Sequence, residues 1–201
     1  WRLPSFLGGM GTVLTVSFGR RDSACSDRRM KDWTLRLARR DDAQAMPPIE
    51  RAAGTLFEQI EGLAYLATAD PIPVERLQRY IRKGHCLVSY VGETMAGFLV
   101  NEPFRRELHI WELSVHPDFQ KRGVGAGLMR ACLIDARNSG FVAATLTTFR
   151  DVPWNAPFYA RLGFEEVSAL DAHPRLAGEL ALEADDGLPA DRRCAMIAFL
   201  D

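Results

Sequence analysis

Cysteine is scarce in this chain. Cys25, Cys86, Cys132 and Cys194 are the only four in 201 residues, and they form no CxxC pair and no Cys/His spacing that would build a zinc site. Cys86, Cys132 and Cys194 sit in apolar runs, the setting of reduced, buried thiols in a cytoplasmic protein rather than of disulfides. Surplus charge is missing as well. The 25 basic residues face 26 acidic ones, a net charge of -1, so nothing in the composition points to nucleic acid, although charge balance excludes no small substrate. Long hydrophobic runs are also absent: Leu3 to Phe18 is interrupted by glycines and is too short for a membrane span. There are no repeats and no low-complexity tracts. What remains, 47% hydrophobic and 25% charged residues, is the composition of one globular domain.

Residues 1–29 read unlike the rest. Their basic start is Arg2 alone, and no small-x-small cleavage site follows. We expect 1–29 to be a disordered or non-native leader and 30–201 to be the functional domain, with an export signal as the alternative.

From Thr34 the pattern is regular. "TLRLA" alternates and predicts a strand. "RDDAQAMPPIERAAGTLFEQ" predicts a helical region with Asp41 or Asp42 as N-cap and a break at Pro47-Pro48. "DPIPVERLQRYIRKG" predicts a second helix ended at Gly84. "HCLVSYV", a turn at "GET" and "MAGFLVNEPF" predict a hairpin, and "RELHIWELSVHP" a fourth strand stopped by Pro117. "GVGAGLMRACLIDARNSG" predicts a helix closed by Gly140, and "AATLTTF" a strand. "NAPFYARLG" predicts a short helix with Asn155 as N-cap. "FEEVSAL" and "RRCAMIAFL" predict final strands separated by a polar insert over 171–190. The fold class is α/β, one domain with a mixed sheet.

The stretch "HPDFQKRGVGAGLM" places alternating glycines between a strand and a helix N-terminus. Such a junction is an anion site: unpaired N–H groups point outward, and glycine lets a phosphate come close. A Walker loop is excluded because no Lys-Ser or Lys-Thr follows the glycines. A Rossmann fingerprint is excluded because Leu128 stands where its third glycine belongs. A tight turn with Gly127 packed closely accounts for one glycine, but not for Gln120-Lys121-Arg122 before it.

The run Gln120-Lys121-Arg122-Gly123-Val124-Gly125-Ala126 resembles the acetyl-CoA-binding motif of the GCN5-related N-acetyltransferases, the GNAT superfamily. The "L-x-V-x-P" strand before it and "FYARLGF" after it extend the resemblance from about Thr34 to Leu200 in element order. The resemblance implies a mostly antiparallel sheet splayed between its fourth and fifth strands, with acetyl-CoA in the cleft and no metal. N–H groups from Lys121 to Ala126 would cradle the pyrophosphate, the Leu113 N–H would polarise the thioester carbonyl, and Val115 would pair with the pantetheine arm. Tyr159 would donate a proton to the leaving thiolate. His109, four residues before Leu113, or Glu112 would be the general base, with His109 ranked first. The family often has an Asn seven residues before the Tyr. That position is Val152 here, so Asn155 is a coenzyme contact or only a helix cap.

The implied reaction is direct attack by a primary amine in a ternary complex, since no cysteine has a nucleophile's setting. A small-molecule amine is expected as acceptor, with a protein N-terminus or lysine as the alternative. Glu58, Glu61 and Asp70 either attract it or are solvated charges, and Trp111 and Trp154 either line its pocket or are core. A catalytically silent acyl-CoA-binding or sensor domain is the competing function. A homodimer through the apolar C-terminal strand is possible.

Overall fold

The computed structural model describes residues 32–200, and the leader expected over 1–29 lies outside them. Seven strands form one sheet in the order β1-β2-β3-β4-β5-β7-β6. They are β1 (Thr34–Leu37), β2 (Leu87–Val91), β3 (Thr94–Phe104), β4 (Glu107–Val115), β5 (Ala143–Phe149), β6 (Glu165–Glu166) and β7 (Arg193–Phe199). Every neighbouring pair is antiparallel except β4–β5. The expected mixed, mostly antiparallel sheet is therefore what forms.

Helices cover both faces, as the near-continuous burial along β3, β5 and β7 requires. α3 (Val124–Asn138) lays Leu128, Met129 and Cys132 on Leu99, Leu108, Ile110 and Leu146. On the opposite face α1 (Met46–Gly54) and α2 (Val74–Ile81) lay Met46, Ile49, Leu77 and Tyr80 on Val88, Phe98 and Val100. Pro47 and Pro48, expected to break a helix, instead open one. They lie in the first turn of α1, where a missing N–H costs no intrahelical bond. Asp42 acts there from the third position of the preceding 3-10 turn, its Oδ2 accepting the Arg39 N–H at 2.6 Å.

Two features open the sheet in its middle. β4 pairs with β5 only from Glu107↔Ala143 to Ile110↔Leu146, although both strands continue, so they diverge beyond that point. The register of β4 against β3 also slips, because Asn101 faces Ile110 while Val100 faces Glu112, leaving Trp111 as the extra residue of a β-bulge.

Two expectations need correction. The strand predicted over "FEEVSAL" is only Glu165–Glu166, because Phe164 and Val167 on either side turn into different apolar clusters. The polar insert at 171–190 contains α5 (Pro174–Asp185), anchored by Leu176 against Ala143, Ala195 and Ile197. β7 lies between β5 and the two-residue β6, which pairs only with Met196 and Ile197.

Candidate active site

The splay opens a cleft of about 820 Å³, within the size range of small-ligand sites. The end of β4, the loop into α3, the end of β5, α1 and the short helix α4 (Ala156–Ala160) line it. After Val115 a 3-10 turn at Pro117–Phe119 leads into the glycine loop. Gln120 pins that loop to the strand, its Nε2 donating to the Val115 carbonyl at 3.0 Å. Lys121 (φ 59°) and Gly123 (φ 82°) both take left-handed backbone, and Gly123 is the N-cap of α3. Among the described residues, no hydrogen-bond acceptor meets the backbone N–H groups of Lys121 to Ala126. Six donors at a helix N-terminus therefore stand open beside the cleft. A Cβ added at Gly125 would lie 3.6 Å from Val115 and 3.8 Å from Phe158, so glycine there keeps the cleft wall open.

The β4 edge supplies further donors. The His116 N–H bonds to the Ala96 carbonyl on β3. Alternation along the strand therefore turns Leu113 and Val115 toward the opening where β5 has peeled away. Glu112 points to the face covered by α1, where Ser114 Oγ donates to its Oε1 at 2.6 Å. Glu50, on α1, lines the same cleft and accepts the Ile72 N–H at 3.1 Å. Burial pushes the Glu50 carboxyl up, and the charge of Glu112 adds to this, to about 8. Burial likewise raises Glu112, against hydrogen bonds from Ser114 and the Leu113 N–H. Across the cleft, burial and the Glu112 charge raise the Tyr159 phenol, so it stays protonated.

Most of the residues singled out from the sequence meet in this cleft: Glu112, Leu113, Val115, Gln120, Lys121, Gly123, Val124, Gly125, Ala126, Asn155 and Tyr159 line it. Two do not. Arg122 points outward over the Phe119 ring and toward Asp32. His109 is fully buried outside the cleft, with Nδ1 3.0 Å from Thr145 Oγ1 and 3.2 Å from an Arg175 nitrogen. Burial and the Arg175 charge pull its imidazole down to about 3, so the ranking of His109 above Glu112 as base is corrected. The count of four back from Leu113 spans the bulge at Trp111, which puts His109 and Leu113 on different faces of the sheet. Asn155 is the N-cap of α4 by position, but its side chain makes no capping bond and faces the cleft.

Trp111 and Trp154 both line the cleft, and Trp111 also packs against Tyr80. Of the three acidic residues weighed for the acceptor, only Asp70 lines the cleft, at its solvent rim. Glu50 was missed because nothing in "PPIERAAG" marks one helical carboxylate as facing a sheet. None of the described cysteines lines the cleft, and burial pushes the Cys132 thiol up to about 12. Among the described residues no helix is long and apolar enough to cross a membrane.

A family model described as an acetyltransferase (GNAT) domain matches residues 82–166, which hold the bulged strand, the glycine loop and Tyr159. The chain is 32% identical over 111 residues to the N-alpha-acetyltransferase RimI of Mycobacterium tuberculosis. The match covers 54% of this chain and 66% of that protein, just under two thirds of its length. Its fold is similar to a PaiA N-acetyltransferase of Thermoplasma acidophilum solved in complex with coenzyme A. That match has a TM-score of 0.61 and 15% identity, and covers 83% of this chain and 98% of the other. It is also similar to the ribosomal-protein-S18-alanine N-acetyltransferase of Escherichia coli, with a TM-score of 0.61 and 16% identity over 84% of this chain and 94% of the other. Sequence and fold converge on one conclusion: the chain belongs to the GNAT superfamily of acetyltransferases.

Proposed function

We propose that the chain is an acetyl-CoA-dependent N-acetyltransferase that holds a primary amine and the coenzyme together in the one cleft. A single observation carries this reading: the open N–H groups of Lys121 to Ala126 adjoin the cleft that also holds Glu112 and Tyr159. The residues fit the coenzyme. Six N–H donors at the N-terminus of α3 suit a pyrophosphate, and the side-chain-free wall at Gly125 suits a narrow arm. Acetyl-CoA supplies an acetyl group activated as a thioester.

The chain's own residues then divide the work. The Val115 N–H and the splayed β4 edge orient the arm, and the Leu113 N–H polarises the carbonyl oxygen. Glu112, with Glu50 beside it, takes the proton that an alkylammonium must lose before its lone pair can attack. The Tyr159 hydroxyl gives its proton to sulfur as the C–N bond forms and the C–S bond breaks, and the phenolate is re-protonated by the second proton that the nitrogen sheds in becoming an amide, while Glu112 returns its proton to solvent. Asn155 lines the coenzyme side, while Arg122 contributes long-range positive charge only. The buried, free thiols Cys86, Cys132 and Cys194 support a reducing, cytoplasmic setting.

The acceptor expected from the sequence is a small-molecule amine. The similarity to an N-alpha-acetyltransferase favours a second reading, the free N-terminus of a polypeptide, and the apolar rim of Phe57, Leu66, Trp154 and Leu188 suits a first side chain. A thiol-release assay with acetyl-CoA tests both acceptor classes, using polyamines and amino acids in one arm and short peptides with free N-termini in the other. Turnover in either arm, with an acetylated product by mass, supports the activity and names the acceptor class. Coenzyme binding with no turnover in any arm contradicts it in favour of a silent acyl-CoA-binding domain.

A further inference from the structure

Trp33, just ahead of β1, lies 94 positions before Gly127 in the chain yet touches the start of α3. Its indole Nε1–H donates to the Arg122 carbonyl at 3.1 Å, inside the glycine loop. Its six-membered ring occupies the space that a side chain at Gly127 would need, since an added Cβ would fall 2.1 Å from the ring's outermost carbon. The preceding residue, Asp32, reaches the same loop, with its Oδ2 3.3 Å from the Arg122 guanidinium. Arg122 is one residue past left-handed Lys121 and one before left-handed Gly123. The carbonyl between two such residues is free to swing unless it is held. The N–H groups of Arg122 and Gly123, on either side of that carbonyl, meet no acceptor among the described residues.

We propose that Trp33 is a positioning residue for the coenzyme loop. It holds the Arg122 carbonyl away from the cleft through its indole N–H, and it sets the height of the first turn of α3 through its seat on Gly127. The inference rests on the loop being the pyrophosphate cradle. It also gives Gly127 a role distinct from Gly123 and Gly125: it makes room for the tryptophan, not for the ligand. Trp33 touches no reacting atom. It acts through the loop N–H groups that it holds in place.

Four variants of the full chain test this: Trp33→Phe, Trp33→Leu, Gly127→Ala, and Gly127→Ala combined with Trp33→Leu. Trp33→Phe keeps most of the packing and deletes the N–H donor. It should weaken coenzyme A binding by about three- to tenfold in calorimetry, the worth of one hydrogen bond. It should raise KM for acetyl-CoA by the same factor, leaving KM for the amine and kcat at saturating coenzyme unchanged. Gly127→Ala should weaken binding more in wild type than in the Trp33→Leu background, because in that background the clash is gone. Amide exchange gives a reading that needs no ligand. The Gly127 N–H, bonded to the Gly123 carbonyl, should exchange faster in Trp33→Phe. Trp33→Phe that binds coenzyme A within twofold of wild type and exchanges Gly127 at the wild-type rate overturns the proposal. So does strict additivity of the Gly127 and Trp33 substitutions. If the wild type binds no coenzyme A, the functional reading fails on its own, and amide exchange still decides whether Trp33 positions the loop.

Discussion

The side-chain amide of Gln120 donates to the main-chain carbonyl of Val115 at 3.0 Å. It thereby ties the end of the splayed strand to the start of the open loop. The two halves of the coenzyme site, the strand edge for the arm and the loop for the pyrophosphate, are registered by that one bond. Gln120→Ala should weaken coenzyme A binding by roughly three- to tenfold, since a net hydrogen bond is worth about 1 kcal/mol. Calorimetry on the folded variant measures it.

Tyr159 is the group placed to donate to sulfur. Tyr159→Phe keeps the ring packed against Phe158 and Phe164 and removes only the hydroxyl. It should lower kcat by about 100-fold, the low end for a general acid, with coenzyme affinity held within a factor of about two. Stopped-flow thiol release beside equilibrium binding separates the two effects.

The carboxyl pair sets the pH dependence of the rate. Glu112 must be ionised to take a proton, and burial holds its carboxyl above the ordinary carboxylate range. The value of kcat/KM should therefore rise with pH over a range above that of a free carboxylate. Glu50→Gln removes the neighbouring charge and should move that rise to lower pH, whereas Glu112→Gln should abolish most of the rate. His109→Gln should leave the position of the rise where it is, because His109 lies outside the cleft and is neutral across this range.

The same pair fixes the sign of a stability effect. The folded-state pKa of Glu50 lies above its ordinary value of 4.5, so the native protein binds more protons than the unfolded chain between there and about 8. This contribution favours folding at the acid end and is lost as pH rises through that window. Urea unfolding at a series of pH values should show a falling component that Glu50→Gln removes.

Arg175 ties α5 to the sheet. Its guanidinium donates to Glu107 at 2.7 Å and to Thr145 at 2.8 Å, and it stacks over the Phe104 ring. Arg175→Met keeps the stem and strands these part-buried acceptors, so it should cost about 2 kcal/mol in urea unfolding while leaving coenzyme affinity unchanged.

Much of this architecture was legible because local chemistry and tertiary position agree. "AATLTTF" is a strand over the predicted residues, and Gly123 and Gly140 bracket α3 where glycine signals placed them. Legibility fails where the third dimension decides. Local pattern cannot announce the bulge at Trp111, because it exists only as a mismatch between two strands. It is that mismatch which turns His109 away from the cleft while Leu113 stays at its edge. Helix α5 was hidden in a polar stretch because Leu176 is its one fully covered side chain. Glu50 and Trp33 carry no motif, and each gains its position from a partner more than sixty residues away.

The most direct measurement is calorimetric titration of the full chain with acetyl-CoA, beside Gly125→Glu. The substitution puts a side chain and a negative charge among Val115, Phe158 and Leu113, where the coenzyme should pass. The account predicts one-to-one binding by the wild type and loss of at least about 100-fold in a variant that still melts cooperatively. A folded wild type that binds no acetyl-CoA, or a folded Gly125→Glu that binds it as tightly as wild type, would contradict the account.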